Sequence, residues 1–229
     1  MSEGIQRLLG PVQLIIFDLD GTLIDSQLDL ANSVNAARAH LGLPPIENER
    51  VFSYVGNGAP VLIRRALGPQ ASEQDVLEGL EFFLAYYRDH MLDNTRLYPG
   101  VREALDRLHW ARVPMGILTN KPVRFSQGLV DGLGLGGHFA RVYGGNSFEH
   151  KKPHPIGVET LLAELGAARE GTLMVGDSAV DVRTARNAGI RACGVTYGFQ
   201  PETFAEDPPD VVVDRMEDLA DLVLQGSGT

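Results

Sequence analysis

Two carboxylates follow a run of apolar residues close to the beginning of the chain, in the stretch LIIFDLDGTLIDS at residues 14–26. The apolar run predicts a buried strand, and charged side chains cannot be buried without a partner. Asp18 and Asp20 are therefore expected where the strand ends, held there by a cation or by a reacting group. This edge of the sheet is where α/β proteins place their chemistry. The alternative is that each aspartate caps the helix after it.

A second pair of acids lies far along the chain, in the stretch MVGDSAVDV. Asp177 ends another predicted strand, and Asp181 comes four residues later, one turn into the next helix. Parallel strands end at one edge of the sheet, so these acids are expected near Asp18 and Asp20. A hard divalent cation removes the repulsion between close carboxylates, and oxygen ligands without a histidine or cysteine pair favour Mg2+. For Asp181, a purely capping role is an equal alternative.

Hydrogen-bond donors follow two further segments. The stretch ILTNKP offers the hydroxyl of Thr119 and the amides of Asn120, and the stretch KKPHP offers Lys152 directly before a proline that opens a helix. A phosphoryl group requires donors of this kind and one fixed cation around its oxygens. Taken singly, Thr119 is an ordinary strand end and Lys152 an ordinary surface lysine. A phosphate-binding role is therefore indicated only by their order along the chain.

The elements that must position these residues can be predicted from hydrophobic periodicity. The chain has 229 residues, of which 44% are hydrophobic, enough for one core with a smaller companion domain. Six short apolar runs predict strands: VQLIIF, VPMGILT, RVYGG, TLMVGD, RACGVT and DVVV. Amphipathic stretches between the later runs predict helices, and this alternation indicates a mostly parallel sheet. From about Asp25 to Leu97 the pattern is helical, with no convincing strand, which predicts a helical insert.

Charge and composition narrow the class of protein. The formal net charge of -10 comes from acids spread along the chain, which argues against nucleic acid or an anionic membrane as a partner. The single cysteine, Cys193, allows no internal disulfide and fits a reducing compartment, so the cytoplasm is expected. No stretch approaches the length of a membrane span, and the N-terminal residues carry no signal-peptide cleavage pattern.

The order of these motifs, DLDGTLIDS, then LTNK, then a lysine before proline, then GDSAVD, resembles the haloacid dehalogenase superfamily over almost the whole chain. Finer matches (YVGNGA followed by RRAL, TNKP, KKPHP, VGDS, NAG and TYGF) resemble its phosphoglycolate phosphatase branch. The resemblance implies an α/β fold in which a Rossmann-like, doubly wound parallel sheet carries an inserted all-helical cap domain. The core would comprise residues 1–22 and 97–229, and the cap residues 23–96. One departure is Asn146, where that branch often has an acid.

The resemblance also implies the roles of the acids. Asp18 would be the nucleophile that forms an aspartyl phosphate, and Asp20 would be the general acid and base. Mg2+ would be held by a carboxylate oxygen of Asp18, the main-chain carbonyl of Asp20 and Asp177, with Ser178 and Asp181 behind them. The cation would make the site attractive to an anionic substrate in spite of the negative net charge.

Further residues would bind the substrate. By the same resemblance, Thr119, Asn120 and Lys152 would hold the phosphoryl oxygens. A cap that selects a carboxylate should present a cation or a row of backbone amides. The candidates are Gly56, Asn57, Gly58 and Arg65. The alternative for Arg65 is a surface pair with an acid, which is the more common use of a helical arginine.

The expected activity is Mg2+-dependent hydrolysis of a small-molecule phosphate monoester, with 2-phosphoglycolate giving glycolate and phosphate. A sugar phosphomutase or a sugar-phosphate phosphatase or pyrophosphatase of the same superfamily is the alternative. A non-enzymatic phospho-receiver also uses clustered acids, a threonine and a lysine, but such a domain is smaller than this chain and needs no cap. A homodimer is possible, and the sequence leaves the oligomeric state open.

Overall fold

A computed structural model describes residues 11–225 and shows a parallel sheet of six strands within that range. The strands of the described chain are β1 Leu14–Phe17, β2 Ile24–Asp25, β3 Arg96–Leu97, β4 Met115–Leu118, β5 Arg141–Tyr143, β6 Thr172–Gly176, β7 Arg191–Val195 and β8 Val211–Val213. The order in the large sheet is β5-β4-β1-β6-β7-β8, and every neighbouring pair is parallel. The predicted α/β class and all six predicted strands are confirmed.

The central strand β1 is buried on both faces, as its unbroken apolar sequence predicts. Ile15 and Phe17 belong to the hydrophobic cluster on one face of the sheet, whereas Leu14 and Ile16 belong to the cluster on the other. This division follows from the two-residue period of a strand. The sheet therefore needs a helical layer on each side.

Helices cover both faces. The helices of the described residues are α1 Gln27–His40, α2 Asn48–Phe52, α3 Ala59–Leu67, α4 Glu73–His90, α5 Val101–Trp110, α6 Val123–Gly132, α7 Ile156–Leu165, α8 Ala179–Ala188 and α9 Met216–Gln225. α5 and α9 pack on the face of Ile15 and Phe17, and α7 and α8 on the opposite face. The sheet is thus doubly wound.

The first four helices form a separate layer with its own hydrophobic cluster, which also includes Phe125 from α6. The chain enters and leaves this layer through β2 and β3, which pair antiparallel with each other. These two short strands were not predicted. The expected division into a core (1–22 and 97–229) and a cap (23–96) lies close to this strand pair and stays a prediction; residues 1–10 of the core lie outside the described residues.

A buried carboxylate joins the two ends of the helical insert. Asp29, in the first turn of α1, accepts hydrogen bonds from the backbone N–H and side-chain amide of Asn94 and from the N–H and hydroxyl of Thr95, at 2.8–3.0 Å. Because Asn94 and Thr95 immediately precede β3, these bonds hold the returning chain against the first helix of the insert.

No helix of the described residues combines the length and the apolar character that a membrane crossing requires.

Candidate active site

Three neighbouring strands end at the candidate active site. β1 lies between β4 and β6, and Asp18, Thr119 and Asp177 are the first residues after these three strands. Parallel strands place their carboxyl ends at one edge of the sheet, so residues from distant parts of the sequence meet there. The structure therefore brings together both aspartate pairs and the two donor segments singled out from the sequence.

Three carboxylates form a compact acidic cluster at this edge. One oxygen from each of Asp18, Asp177 and Asp181 lies within 4.8 Å of the others. Burial raises the pKa of Asp18 to about 6, with Lys152 opposing the rise and Asp181 adding to it. Burial and the charges of Asp181 and Asp18 also raise the pKa of Asp177 well above its usual value. The protein groups alone thus leave negative charge in this cluster incompletely compensated.

Lys152 is the cation inside this cluster. Its Nζ lies 3.0 Å from Oδ1 of Asp18 and 2.7 Å from Oδ1 of Asp181, and its side chain is buried. Burial disfavours the ammonium, but Asp18 and Asp181 more than offset this and raise the pKa of Lys152. Oδ2 of Asp181 accepts hydrogen bonds from the hydroxyl and the N–H of Ser178, a capping box at the start of α8. Asp181 thus caps the helix through Oδ2 and, at the same time, contacts Lys152 in the acidic cluster through Oδ1.

Asp20 is held by a different set of partners. Nζ of Lys121 lies 3.0 Å from both carboxylate oxygens of Asp20, and the hydroxyl of Ser26 donates to Oδ1 at 2.6 Å. Lys121 also lies 4.6 Å from the ring centroid of Tyr87 in α4. Burial opposes the charge of Lys121, but Asp20 and Tyr87 outweigh it and raise the pKa of this lysine. The two carboxylates of the D-x-D motif are therefore paired with two separate lysines.

Lys121, Tyr87 and Ser26 are absent from the site residues predicted from the sequence. Lys121 stands in the quoted TNKP motif, so its position after a strand end was a usable signal. Tyr87 carried no such signal, because in the stretch FFLAYY an aromatic residue at helical spacing indicates packing. The pairing of Lys121 with Tyr87 depends on how the insert lies on the sheet.

The two donors after β4 differ in their surroundings. The hydroxyl of Thr119, which is buried, accepts a hydrogen bond from the N–H of Lys121 at 3.3 Å. The side-chain amide of Asn120 donates to the carbonyl oxygens of Gly56 and Lys152, at 3.0 and 3.2 Å. The Oδ1 atom of Asn120 is buried without a hydrogen-bond partner among the described residues. Asn120 thus connects the sheet edge with the glycine turn of the insert.

A cavity lies between this edge of the sheet and the helical insert. Its polar wall is formed by Asp18, Asp20, Thr119, Asn120, Lys121, Asp177, Ser178 and Gln200. The insert supplies the opposite wall, made of Leu30, Val55, Gly56, Gly58, Ala59, Leu62, Phe83, Leu84 and Tyr87. Among these insert residues, all within the described range, the hydroxyl of Tyr87 is the one polar side-chain group. It is buried and donates to no acceptor in the described structure, although it interacts with the ammonium of Lys121.

The predicted cap residues are divided by the structure. Gly56 and Gly58 line the cavity, whereas Asn57 and Arg65 do not. Gly58, at φ 86°, precedes α3, and a Cβ there would lie 3.2 Å from the carbonyl oxygen of Asn120. Arg65 is exposed, and its guanidinium contacts the carbonyl oxygen of Tyr54 at 3.5 Å.

The geometry of α3 explains the position of Arg65. The buried face of this helix carries Ala59, Leu62, Ile63 and Ala66. With 3.6 residues per turn, Arg65 lies about 100° around the helix from the centre of that face. The structure therefore places this guanidinium outside the cavity, on the side of the helix that meets solvent.

Asn146, the departure noted in the sequence, caps a helix. Its Oδ1 accepts a hydrogen bond from the N–H of Val123, the first residue of α6, at 2.8 Å. An amide oxygen can accept this bond as a carboxylate oxygen does. The departure therefore lies in a helix-capping contact beside α6 that either side chain can make, and Asn146 is not part of the acidic cluster.

The sequence model of the family described as haloacid dehalogenase-like hydrolase matches residues 15–195. The chain belongs to this family. The matched range runs from β1 to the end of β7 and includes the wall residues of the cavity named above, except Gln200.

Relatives with closer similarity are phosphoglycolate phosphatases. The enzyme of that name from Chromobacterium violaceum is 40% identical over 219 residues, covering 94% of this chain and 98% of its own length. The one from Vibrio parahaemolyticus is 39% identical over 219 residues, covering 93% and 96%. The crystal structure of a predicted phosphoglycolate phosphatase from Haemophilus somnus superposes with a TM-score of 0.87 at 33% identity, covering 92% and 97%. This member of the hydrolase family is an enzyme similar to phosphoglycolate phosphatases.

Proposed function

We propose that the protein hydrolyses 2-phosphoglycolate to glycolate and phosphate with the help of Mg2+. The relatives named phosphoglycolate phosphatase, 39–40% identical over nearly the whole chain, support this substrate. The observation that carries the mechanism is the separate pairing of two neighbouring carboxylates in one cavity. Asp18 is paired with Lys152 and Asp20 with Lys121, so the two acids are held in different charge environments and can perform different tasks.

Asp18 is the nucleophile in this proposal. Its Oδ1 is engaged by the N–H of Leu19 at 2.7 Å and by Lys152 at 3.0 Å. These contacts fix the orientation of the carboxylate. A bond forms between a carboxylate oxygen of Asp18 and phosphorus while the bond from phosphorus to the glycolate oxygen breaks. Water then attacks the aspartyl phosphate, which releases phosphate and restores the carboxylate.

Asp20 moves the protons. It donates a proton to the departing glycolate oxygen and afterwards accepts one from the attacking water, so its proton balance closes over the cycle. Lys121 and Ser26 position the carboxylate through the three contacts described above. Thr119, Asn120 and Lys152 hold the phosphoryl oxygens, which require hydrogen-bond donors and a cation.

The acidic cluster fits the expected cation. It offers three carboxylate oxygens within 4.8 Å of one another, and Mg2+ prefers oxygen ligands. The ligands in this proposal are the carboxylates of Asp18 and Asp177 and the main-chain carbonyl of Asp20, with Ser178 and Asp181 orienting them. When bound, Mg2+ supplies positive charge that offsets the carboxylates and the phosphoryl oxygens.

The insert wall argues against the sugar-phosphate alternatives. A sugar phosphate carries several hydroxyl groups, and each requires a polar partner when it is buried. The described insert residues that line the cavity offer the hydroxyl of Tyr87 and the backbone of the glycine turn. A small acid with few hydrogen-bonding groups fits this wall better. Membership in a hydrolase family likewise favours an enzyme over a phospho-receiver.

The direct test is phosphate release from a panel of monoesters by the purified protein. We expect 2-phosphoglycolate to be the preferred substrate over hexose phosphates in the presence of Mg2+. Activity should disappear in excess chelator and return with added Mg2+. The D18N variant is the control, because it keeps the shape of the side chain but lacks the attacking carboxylate. Full activity in chelator, or a tenth of the rate left in D18N, would contradict the mechanism.

Partners and location follow as lesser proposals. The negative net charge supports a small-molecule substrate without nucleic-acid or membrane partners. Cys193 is buried as a free thiol, which fits the reducing conditions of the cytoplasm. A homodimer is the oligomeric state to test, by sedimentation of the purified protein.

A further inference from the structure

The mechanism above leaves one charged group of the substrate without a partner. Glycolate carries a carboxylate, and an anion cannot enter the apolar insert wall unpaired. Among the described residues that line the cavity, Lys121 has the one cationic side chain. Arg65, the cation expected from the sequence, lies outside the cavity. The inference developed here rests on the proposed substrate.

Lys121 retains hydrogen-bonding capacity. Its ammonium group has three N–H donors, and its two contacts to the oxygens of Asp20 engage at most two of them. The ring of Tyr87, 4.6 Å away, limits where the ammonium can move. Lys121 can therefore bind a second anion without releasing Asp20.

The connectivity of the substrate places its carboxylate beside this lysine. One methylene group separates the ester oxygen of phosphoglycolate from the carboxylate carbon. Asp20 must reach the ester oxygen in order to protonate it. The carboxylate of the substrate therefore has to lie close to the residues that contact Asp20. The nearest cation to Asp20 is Lys121, at 3.0 Å.

A second observation points to the same place. The hydroxyl of Tyr87 is buried and interacts with the ammonium of Lys121, but its own proton has no acceptor among the described residues. A buried donor without an acceptor is costly, and a native protein rarely leaves one without a reason. An incoming carboxylate would supply the missing acceptor.

We propose that Lys121 and the hydroxyl of Tyr87 form the subsite that binds the carboxylate of the substrate. Lys121 comes from the core and Tyr87 from α4, so the two donors lie on opposite walls of the cavity. Binding of the carboxylate would then add a further contact between the helical insert and the sheet edge. A substrate without this carboxylate gains neither contact.

The test compares two esters that differ at this group. 2-Hydroxyethyl phosphate has a hydroxymethyl group in place of the carboxylate, and both esters have an alkoxide leaving group that needs Asp20. The measured quantity is the ratio of kcat/KM for phosphoglycolate to kcat/KM for 2-hydroxyethyl phosphate. We expect Lys121→Met to lower this ratio about 10- to 100-fold, the size expected for a lost hydrogen bond to a charged group. Tyr87→Phe, which keeps the ring, should lower it about 5- to 10-fold.

The ratio separates binding from mere positioning of Asp20. If Lys121 acted only through Asp20, Lys121→Met would slow both esters equally and the ratio would not change, which overturns the subsite. A wild-type enzyme that does not prefer phosphoglycolate overturns the proposed substrate and the subsite with it. A wild-type preference that persists in both variants overturns the subsite alone. If Lys121→Met does not fold, Tyr87→Phe decides, because the hydroxyl that it removes donates to no acceptor in the described structure.

Discussion

Replacement of Asp20 by asparagine removes the proposed proton donor from the site while the side chain keeps almost the same shape. Oδ1 of Asp20 accepts from Ser26 at 2.6 Å, and both oxygens contact Lys121 at 3.0 Å. Asparagine retains one acceptor oxygen for these partners. The D20N variant therefore loses proton transfer and one charge, while a side chain of the same size remains in place.

The magnitude depends on the leaving group. General acid catalysis contributes about 10²- to 10⁴-fold when the leaving group is a poor one such as the glycolate alkoxide. At about 1.36 kcal/mol per tenfold, this corresponds to a barrier raised by roughly 2.7–5.4 kcal/mol for phosphoglycolate. The phenolate of p-nitrophenyl phosphate leaves without a proton, so its loss in D20N should stay below about tenfold.

The assay measures single-turnover phosphorylation of the enzyme by rapid quench. Each of the two esters is used in turn as the substrate. D18N provides the background, because it has no attacking carboxylate. The charge lost next to Lys121 can change how tightly phosphoglycolate binds, so the phosphorylation rates are compared at saturating concentrations of each ester. The difference between the two losses in rate then isolates the proton transfer. Equal losses for phosphoglycolate and p-nitrophenyl phosphate would remove the role of general acid from Asp20.

Three further predictions concern the framework of the site. Gly21→Ala should abolish turnover, because Gly21 has φ 80° and a Cβ there would lie 2.2 Å from Oδ2 of Asp177; steady-state kinetics at wild-type levels would contradict this. Asp29→Ala should lower the free energy of unfolding by about 3 kcal/mol at pH 7. Burial opposes the charge of Asp29, but its hydrogen bonds to Asn94 and Thr95 lower its pKa below 3.8. This stabilisation is therefore complete above about pH 4 and declines as the pH falls through the lower pKa of the folded state. Urea unfolding at pH 7 and at a pH below the folded pKa would show that the difference in stability between wild type and Asp29→Ala shrinks in acid. Arg65→Leu should leave the KM for phosphoglycolate within about twofold, because the guanidinium lies outside the cavity; a large rise would restore Arg65 as a substrate contact.

Local patterns in the sequence were enough to predict the sheet and the acids at its edge. A buried strand such as β1 consists of apolar residues, and it must end where charged residues begin because unpaired charge is costly inside a core. The positions of Asp18 and Asp177 directly after their strands follow from this alone. The parallel order of the strands then brings these residues to one edge.

The two roles considered for Asp181 could not be separated by sequence. A carboxylate in the first turn of a helix is a cap by its local position. Its approach to Lys152 depends on a contact between residues 29 positions apart. The structure shows both at once, because the two oxygens of the carboxylate have different partners.

What the tertiary structure decided is the set of contacts between the insert and the core. The approach of Tyr87 to Lys121, the hydrogen bond from Asn120 to Gly56 and the position of Arg65 outside the cavity all depend on how the insert lies on the sheet edge. Periodicity reports which face of a helix is buried, but it does not report against which residues that face packs. Side chains far apart in the sequence acquire their partners only when whole elements pack. For this reason local patterns were enough to predict the acids at the sheet edge, whereas the fold decided which side chains face each other across the cavity.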